Sequence, residues 1–426
     1  MENTQYRPRI VDSLVERKLK SAGAIVIEGA KWCGKTSTAA QHSQSEVYLS
    51  DSSQQDYLQL AEINASLLLN GDTPRLIDEW QLAPQLWDAV RHAVDYRQKT
   101  GQFILTGSAV PANQEKIHHT GTGRMSWLTM RPMSLWESGD SSGKISLKSL
   151  FDGTTQIGEN NEAGNSLEKM AYLTCRGGWP MVTHLDTDAA LDIAFNYVDG
   201  LVHSDIQRVD GISRDEARVK RLLRIYARSQ ASQTSSAKLL QDIQENDHSC
   251  SENTLFSYLS ALRKIFVIED LAAWNPNLRS RTAIRTADTR YFVDPSIATA
   301  ALGLGVKDLM NDLNTFGLLF ETLCIRDLRV YAQSIDGDVY HYRDKNGLEC
   351  DAVVHLRNGH YGLIEIKLGG NRLIEEGASS LLKLADKIDI TKMPAPSFLM
   401  ILTASGNFAY TRKDGVLVVP IDMLRN

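Results

Sequence analysis

Short apolar runs separated by polar, glycine-bearing connections set the rhythm of the first third of the chain. Ala24–Ile27, Glu46–Ser50, Pro74–Ile77, Gln102–Ser108 and Trp127–Met130 each read as a strand, and the nearly unbroken apolar ones as buried on both faces. Helical spacing falls between them: a short amphipathic helix over 10–20, a run from Ser37, and Leu86, Val90 and Val94 on one core face. From Ala189 to Val209 the spacing is helical throughout, and two shorter helices are predicted over 235–243 and 253–265. The last quarter changes to helix (316–328), strands (339–343, 348–354 and 362–367) and helix (373–387), with Asn-Gly turns at Asn346-Gly347 and Asn358-Gly359. The fold class predicted is α/β.

Chemistry enters at the first strand. Ala24-Ile25-Val26-Ile27 leads into Gly29-Ala30-Lys31-Trp32-Cys33-Gly34-Lys35-Thr36-Ser37, a G-x-x-x-x-G-K-[ST] loop in a strand–loop–helix setting. Gly29 and Gly34 let successive backbone N–H groups curl around an anion, and the following helix turns its positive end to the phosphates. Lys35 neutralises β/γ-phosphate oxygens and the Thr36 hydroxyl ligates Mg²⁺, so residues 29–37 are expected to bind ATP.

Leu76-Ile77-Asp78-Glu79 supplies the complementary half of a hydrolysis site: Asp78 to hold the Mg²⁺ shell and Glu79 to polarise the attacking water. Thr106 and Ser108, at the tip of another buried strand, are candidates for sensing the γ-phosphate. Arg124 sits in a glycine-flanked loop before a strand. Two readings stay open for it: a cation reaching the phosphates of a neighbouring subunit, or a plain surface arginine.

Length and composition narrow the class. A chain of 426 residues exceeds one core, so two to four domains are expected. Five scattered cysteines without a C-x-x-C support neither a disulfide framework nor a zinc site. There is no run of 18 uninterrupted apolar residues and the first five residues are polar, so a cytoplasmic location and no membrane partner are expected. A net charge of −6 argues against a globally basic nucleic-acid binder, not against local basic surfaces.

The set Gly-Ala-Lys-Trp-Cys-Gly-Lys-Thr, Ile-Asp-Glu-Trp-Gln, Leu-Thr-Gly-Ser and Gly-Arg…Arg-Pro-Met-Ser-Leu-Trp-Glu resembles a large prokaryotic family of AAA-type ATPases. Its members carry a separate C-terminal domain of unknown function, and the likeness runs over essentially the whole chain. It implies an AAA-type core, a homo-oligomer in the form of a hexameric ring or a filament, and a structural role for Gly177-Gly178-Trp179-Pro180.

In the middle of the chain, Arg214, Arg218, Lys220, Arg221, Arg224 and Arg228 form a basic run, either a solvated helix face or a phosphate-contacting one. Two short helices follow, then a strand start at Phe266-Val267-Ile268, then Arg279, Arg281, Arg285 and Arg290. This is the outline of a winged helix, a module that binds duplex DNA or another protein.

Strand alternation governs the C-terminal region. Glu349, Asp351 and Val353 share one face of their strand, and Glu365 and Lys367 share a face of the next. Antiparallel neighbours then bring Asp351 beside Glu365 and Lys367. Two carboxylates and the Ile366 carbonyl suit Mg²⁺, Lys367 can orient water, and Glu321 on the preceding helix can complete the shell. The four residues in this order resemble the restriction-endonuclease-like PD-(D/E)xK arrangement, with Asp351, Glu365 and Lys367 as catalytic residues and Glu321, Asp351 and Glu365 as metal ligands. A salt-bridged, inactive scaffold is the alternative. The helix after Gly369-Gly370 lacks the glutamine or tyrosine of some junction-cutting relatives, which leaves the substrate open.

The organisation expected is therefore a P-loop AAA-type ATPase core (1–150), a helical lid (151–230), a winged helix (231–300) and a restriction-endonuclease-like α/β domain (301–426). The function expected is an ATP- and Mg²⁺-dependent ATPase that moves or remodels DNA, with a nuclease-like site that either cuts branched or duplex DNA or only grips it. A regulatory ATPase carrying an inactive nuclease-like platform is the alternative.

Overall fold

The structure is a computed structural model and describes residues 6–51, 56–109, 120–155, 166–245, 247–276 and 287–426. The chain divides into two compact units that interleave along the sequence. One holds residues 1–132, 200–215 and 257–267; the other holds 133–199, 216–256 and 268–426.

The first unit is built on a five-stranded parallel sheet. Its elements run α1 (Val11–Ser21), β1 (Ala24–Glu28), α2 (Lys35–Gln41), β2 (Ser45–Tyr48), α3 (Asp56–Asn64), β3 (Arg75–Asp78), α4 (Leu86–Arg97), β4 (Phe103–Gly107) and β5 (Met125–Thr129). Strand order is β2-β3-β4-β1-β5, every pairing parallel. β1 and β4, flanked on both edges, are buried along their length apart from Glu28, which explains their continuous apolar character. Leu86, Val90 and Val94 of α4 enter the core with Val26, Ile77 and Leu105. On the other face, Val11, Leu14 and Val15 of α1 pack with Ile25 and Ile27. The register sets Asp78 opposite Thr106 and Ile27 opposite Thr106, so the carboxyl ends of three adjacent strands meet at one rim. Ligand chemistry in open parallel sheets concentrates at that rim.

The second unit opens with α5 (Leu135–Ser138), β6 (Ile145–Ser146), α6 (Leu147–Phe151), α7 (Leu167–Arg176) and α8 (Thr187–Gly200), whose final residue passes into the first unit. A π-helical turn (Leu201–Asp205) and α9 (Ile206–Arg208) follow within the first unit. The second unit resumes with α10 (Glu216–Arg228) and α11 (Ser236–Gln244), whereas α12 (Glu252–Lys264) spans both units. α13 (Pro295–Leu302), α14 (Val306–Asn311) and the long α15 (Leu313–Ser334) then precede a mixed sheet. That sheet comprises β7 (Gly337–Arg343), β8 (Glu349–Leu356), β9 (Tyr361–Lys367), β10 (Phe398–Thr403), β11 (Tyr410–Thr411) and β12 (Leu417–Pro420), with α16 (Asn371–Lys387) between β9 and β10. The order is β11-β12-β10-β9-β8-β7. A last strand, β13 (Leu424–Arg425), pairs with β6.

Gly177-Gly178-Trp179 is a buried anchor, in keeping with its structural reading. A Cβ on Gly178 would stand 2.1 Å from the Met133 carbonyl oxygen, and the Gly178 N–H donates to Asp294. Arg326 of α15 pairs with Asp294 at 2.9 Å and Asp327 at 2.7 Å, all three buried, and Asp327 accepts from the Leu135 N–H.

The strand expected from Phe266 is not formed. Phe266 has φ +58°, and the pairing beyond it consists of isolated bridges, Ile268 to Phe292 and Leu271 to Thr289. The next segment instead extends the large sheet: Trp274 donates its N–H to the His341 carbonyl, and the His341 N–H donates to Ala272. Arg279, Arg281 and Arg285 lie outside the described residues.

Candidate functional site

The phosphate loop leaves the end of β1 and turns into α2. A side chain at residue 29 would collide with the Met130 carbonyl, 2.0 Å from its Cβ, and Gly34 has φ +102°. Both positions therefore require glycine. The Lys35 ammonium, buried, donates to the Gly29 and Ala30 carbonyls at 2.9 and 2.8 Å. Trp32 stands in the loop with φ +62°, its ring 59% exposed. Cys33 is buried, its thiol on the Met130 carbonyl.

At the rim of the sheet, Asp78 Oδ1 accepts from the Thr36 hydroxyl at 2.7 Å and from the Thr106 hydroxyl at 2.6 Å. Burial pushes the Asp78 carboxyl above its ordinary range, against those two hydrogen bonds. No ion pair with it forms among the described residues. A buried carboxylate satisfied only by hydroxyls, one of them on the phosphate loop, fits a hard divalent cation. Glu79 follows in a left-handed conformation, φ +56°, which a non-glycine residue adopts only when its surroundings enforce it. Ser108 donates to Glu79 Oε2 at 2.9 Å, and the Gln81 amide donates to the same oxygen. The sequence brought Lys35, Thr36, Asp78, Glu79, Thr106 and Ser108 to one place, and the rim of the sheet gathers them.

Arg124 stands elsewhere. Its carbonyl accepts from the Gly23 and Ala24 N–H groups at the beginning of β1, the sheet edge opposite the phosphate loop. Its guanidinium pairs with Asp95 of α4 at 2.8 Å. It is therefore not among the residues gathered around the phosphate loop.

Three partners of the loop gave no signal in the sequence. Buried Arg9 donates to the Cys33 carbonyl at 2.7 Å and the Arg131 carbonyl at 2.9 Å. Tyr6 bridges Asp12 and Thr38 of α2. Lys31 pairs with Asp205 of the π-helical turn.

The second unit gathers the other set. Lys367 Nζ lies 3.0 Å from Asp351 Oδ2 and 2.6 Å from Glu365 Oε2, and the Ile366 N–H donates to Asp351 Oδ2 at 2.7 Å. The β8–β9 pairing, Ala352 opposite Ile364, produces this arrangement. Burial and the Asp351 charge push the Glu365 carboxyl up to about 8, and the same two causes push Glu321 well above its ordinary range. Burial opposes the Lys367 charge, but the two carboxylates prevail and hold its ammonium above the usual value. The Tyr291 hydroxyl donates to Glu321 Oε1.

Asp351, Glu365 and Lys367 are thus together, with Glu321 within electrostatic reach. The expected ligand set is not a preformed cage, however. Among the described residues no three His, Cys, Asp or Glu side chains are arranged to hold a metal ion. The Lys367 ammonium occupies the meeting point of two carboxylates, and the Tyr291 phenol takes the third.

The basic run is also redistributed. Arg214 precedes α10 and is buried, paired with Asp210. Arg218 and Arg221 both turn to Asp247. Arg224 and Arg228 remain exposed on α10.

Three stretches of the chain match known domain models. Residues 21–138 match the sequence model of an AAA domain. Residues 167–308 and 316–424 match two domains of unknown function, DUF8612 and DUF4143. Uncharacterized proteins of Mycobacterium tuberculosis (Rv2008c) and Mycobacterium bovis (Mb2031c) are each 22% identical over 414 residues, covering 96% of this chain and 82% of their own length. Among solved structures, the Walker-type ATPase PABY2304 of Pyrococcus abyssi is similar, with a TM-score of 0.43 and 13% identity over 70% of this chain and 96% of its own. With a glycine-bounded phosphate loop and a buried strand-end aspartate tied to it, residues 21–138 form a P-loop ATPase domain of the AAA kind.

Proposed function

We propose that the protein hydrolyses ATP at this loop and couples the cycle to work on DNA, which the second unit grips and cuts. The observation that carries the DNA half is the Lys367 ammonium between Asp351 and Glu365, a carboxylate–lysine cluster at nuclease spacing in a chain that also carries an ATPase domain.

In the ATPase half, loop N–H groups of residues 30–36 and the Lys35 ammonium bind the β- and γ-phosphates. Thr36 and Asp78 are the residues that would hold Mg²⁺, which when bound offsets phosphate charge. Glu79, fixed by Ser108 and Gln81, accepts a proton from the attacking water. Arg124, remote from its own loop, is assigned to the phosphates of a neighbouring subunit in a homo-oligomeric ring.

In the nuclease-like half, Asp351, Glu365 and Glu321 are the carboxylates that would hold a divalent cation; that cation would supply charge neutralisation at a scissile phosphate. Lys367 orients the water. Lys220, Arg224 and Arg228 on α10 are the cations left to meet DNA phosphates. We assign residues 151–230 and 231–300 to the lid and winged helix of this machine.

The deciding experiment is a cleavage assay on linear, forked and four-way DNA with Mg²⁺ or Mn²⁺, comparing wild type, Asp351→Ala and Lys35→Ala. Cleavage lost in Asp351→Ala, with DNA-stimulated ATP turnover lost in Lys35→Ala, is the expected result. A second reading, a regulatory ATPase with an inactive nuclease-like platform, is favoured by Lys367 filling the carboxylate meeting point and by Arg214, Arg218 and Arg221 being paired internally. DNA that neither binds nor stimulates turnover at low salt, where phosphate contacts are strongest, decides for that reading.

A further inference from the structure

Lys31 is the third residue of the phosphate loop, so its backbone N–H belongs to the arc that receives the anion. Its side chain adds a second ammonium beside Lys35. That side chain is 44% exposed and, among the described residues, its ion pair is with Asp205, whose side chain is 18% exposed. Asp205 ends a π-helical turn, Leu201–Asp205, whose Leu201 and Val202 are buried in the unit that holds the loop. A single π turn within a helical run is rare and is frequently found at functional sites. The carboxylate is therefore delivered to the loop on a built element, 174 residues away in sequence.

From this juxtaposition we infer that Asp205 is a positioning residue that competes with nucleotide phosphates for the Lys31 ammonium. The inference rests on the nucleotide reading of the loop. Lys31 has three N–H donors and one positive charge. With Asp205 beside it, that charge is largely spent. A triphosphate entering the loop brings a larger negative charge and draws the ammonium from Asp205; the diphosphate left after hydrolysis draws it less. The exchange weakens triphosphate affinity and speeds nucleotide release. By reciprocity, bound triphosphate loosens the hold of the loop on the π turn, and through it on residues 200–215.

The test is calorimetric titration of the full-length protein with a non-hydrolysable ATP analogue and with ADP, each with Mg²⁺. Asp205→Asn is expected to tighten binding of the ATP analogue by about 3- to 10-fold and ADP by less, as expected for removal of one competing charge. Asp205→Glu, which keeps the charge, restores the wild-type order. On a Lys31→Gln background the Asp205→Asn change is expected to vanish. Unchanged or weaker binding in Asp205→Asn overturns the inference, because a carboxylate that only braces the loop must lose affinity when removed. Should Asp205→Asn fail to fold, Lys31→Gln alone decides: a larger loss for the ATP analogue than for ADP supports the competition, and equal losses refute it. Wild type that binds neither nucleotide, with Lys35→Ala indistinguishable from it, refutes the nucleotide reading itself, a result distinct from either outcome above.

Discussion

The Tyr291 hydroxyl donates its proton to Glu321 Oε1, which ties a segment ahead of α13 to a carboxylate on α15. Tyr291 is buried, and the Arg329 guanidinium lies over its ring at 6.0 Å. Arg329 in turn donates to the Glu269 and Asp270 carbonyls, so Tyr291 is held between α15 and the 269–270 segment.

Tyr291→Phe keeps the ring and removes the donor. The expected cost in unfolding free energy is about 1–3 kcal/mol, the penalty for stranding a buried polar group. A divalent cation bound at Glu321 replaces the lost partner, so the deficit should shrink on adding Mn²⁺. Urea denaturation of wild type and variant with and without Mn²⁺ reads both effects; a deficit unmoved by Mn²⁺ denies Glu321 a role in holding a cation.

Glu79→Gln retains the side chain that Ser108 can reach but not the base. ATP turnover is expected to fall about 10²- to 10⁴-fold with nucleotide affinity preserved. Asp78→Asn should instead weaken Mg²⁺-dependent affinity. Steady-state kinetics beside equilibrium binding separates the two.

Arg9→Ala leaves the Cys33 and Arg131 carbonyls without their buried donor. About 1–3 kcal/mol of stability and a measurable part of ATP affinity should be lost together. Arg9→Lys should not restore both, since an ammonium lacks the planar fork that spans two acceptors.

Arg326→Ala strands Asp294 and Asp327, both without solvent contact. Breaking a buried charged network from one side costs about 3–5 kcal/mol, enough to threaten folding of the second unit. Chemical denaturation followed by far-UV circular dichroism is the measurement.

Burial lowers the His341 imidazole from an ordinary 6.5 to about 4, with Gln233 donating to its Nδ1. The folded state thus favours the neutral ring, and between those values the unfolded chain binds more protons. Stability from this group is complete above pH 6.5 and declines as pH falls toward 4, by about 3 kcal/mol. His341→Gln should flatten that part of the stability–pH curve.

Local chemistry made the two side-chain clusters readable from sequence. An apolar strand followed by glycine-bounded Gly29–Thr36 has one dominant conformation, and an apolar strand ending in Asp-Glu places its acid at the sheet rim. Two-residue periodicity was enough to bring Asp351 to Lys367, because β8 and β9 are joined by a tight turn. The partners that sequence missed all arrive across the fold. Arg9, Asp205 and Tyr291 lie in stretches whose composition fits a lead-in, a helix and a strand equally well. Arg214 was read as part of a basic helix face because spacing extends a helix past its true start at Glu216, and nothing local announces the Asp210 carboxylate that buries it. The strand expected at Phe266 failed for the converse reason: apolar content was sufficient, but the backbone turns left-handed there and the neighbouring segment is spent extending the large sheet.

α15 carries Glu321, Arg326 and Arg329 within just over two turns, or roughly 12 Å of axis. A helix buried on most sides bends little. It therefore behaves as a spar that holds the Gly177–Trp179 anchor, tied to it through Asp294 and Arg326, at a fixed spacing from the carboxylate five residues earlier.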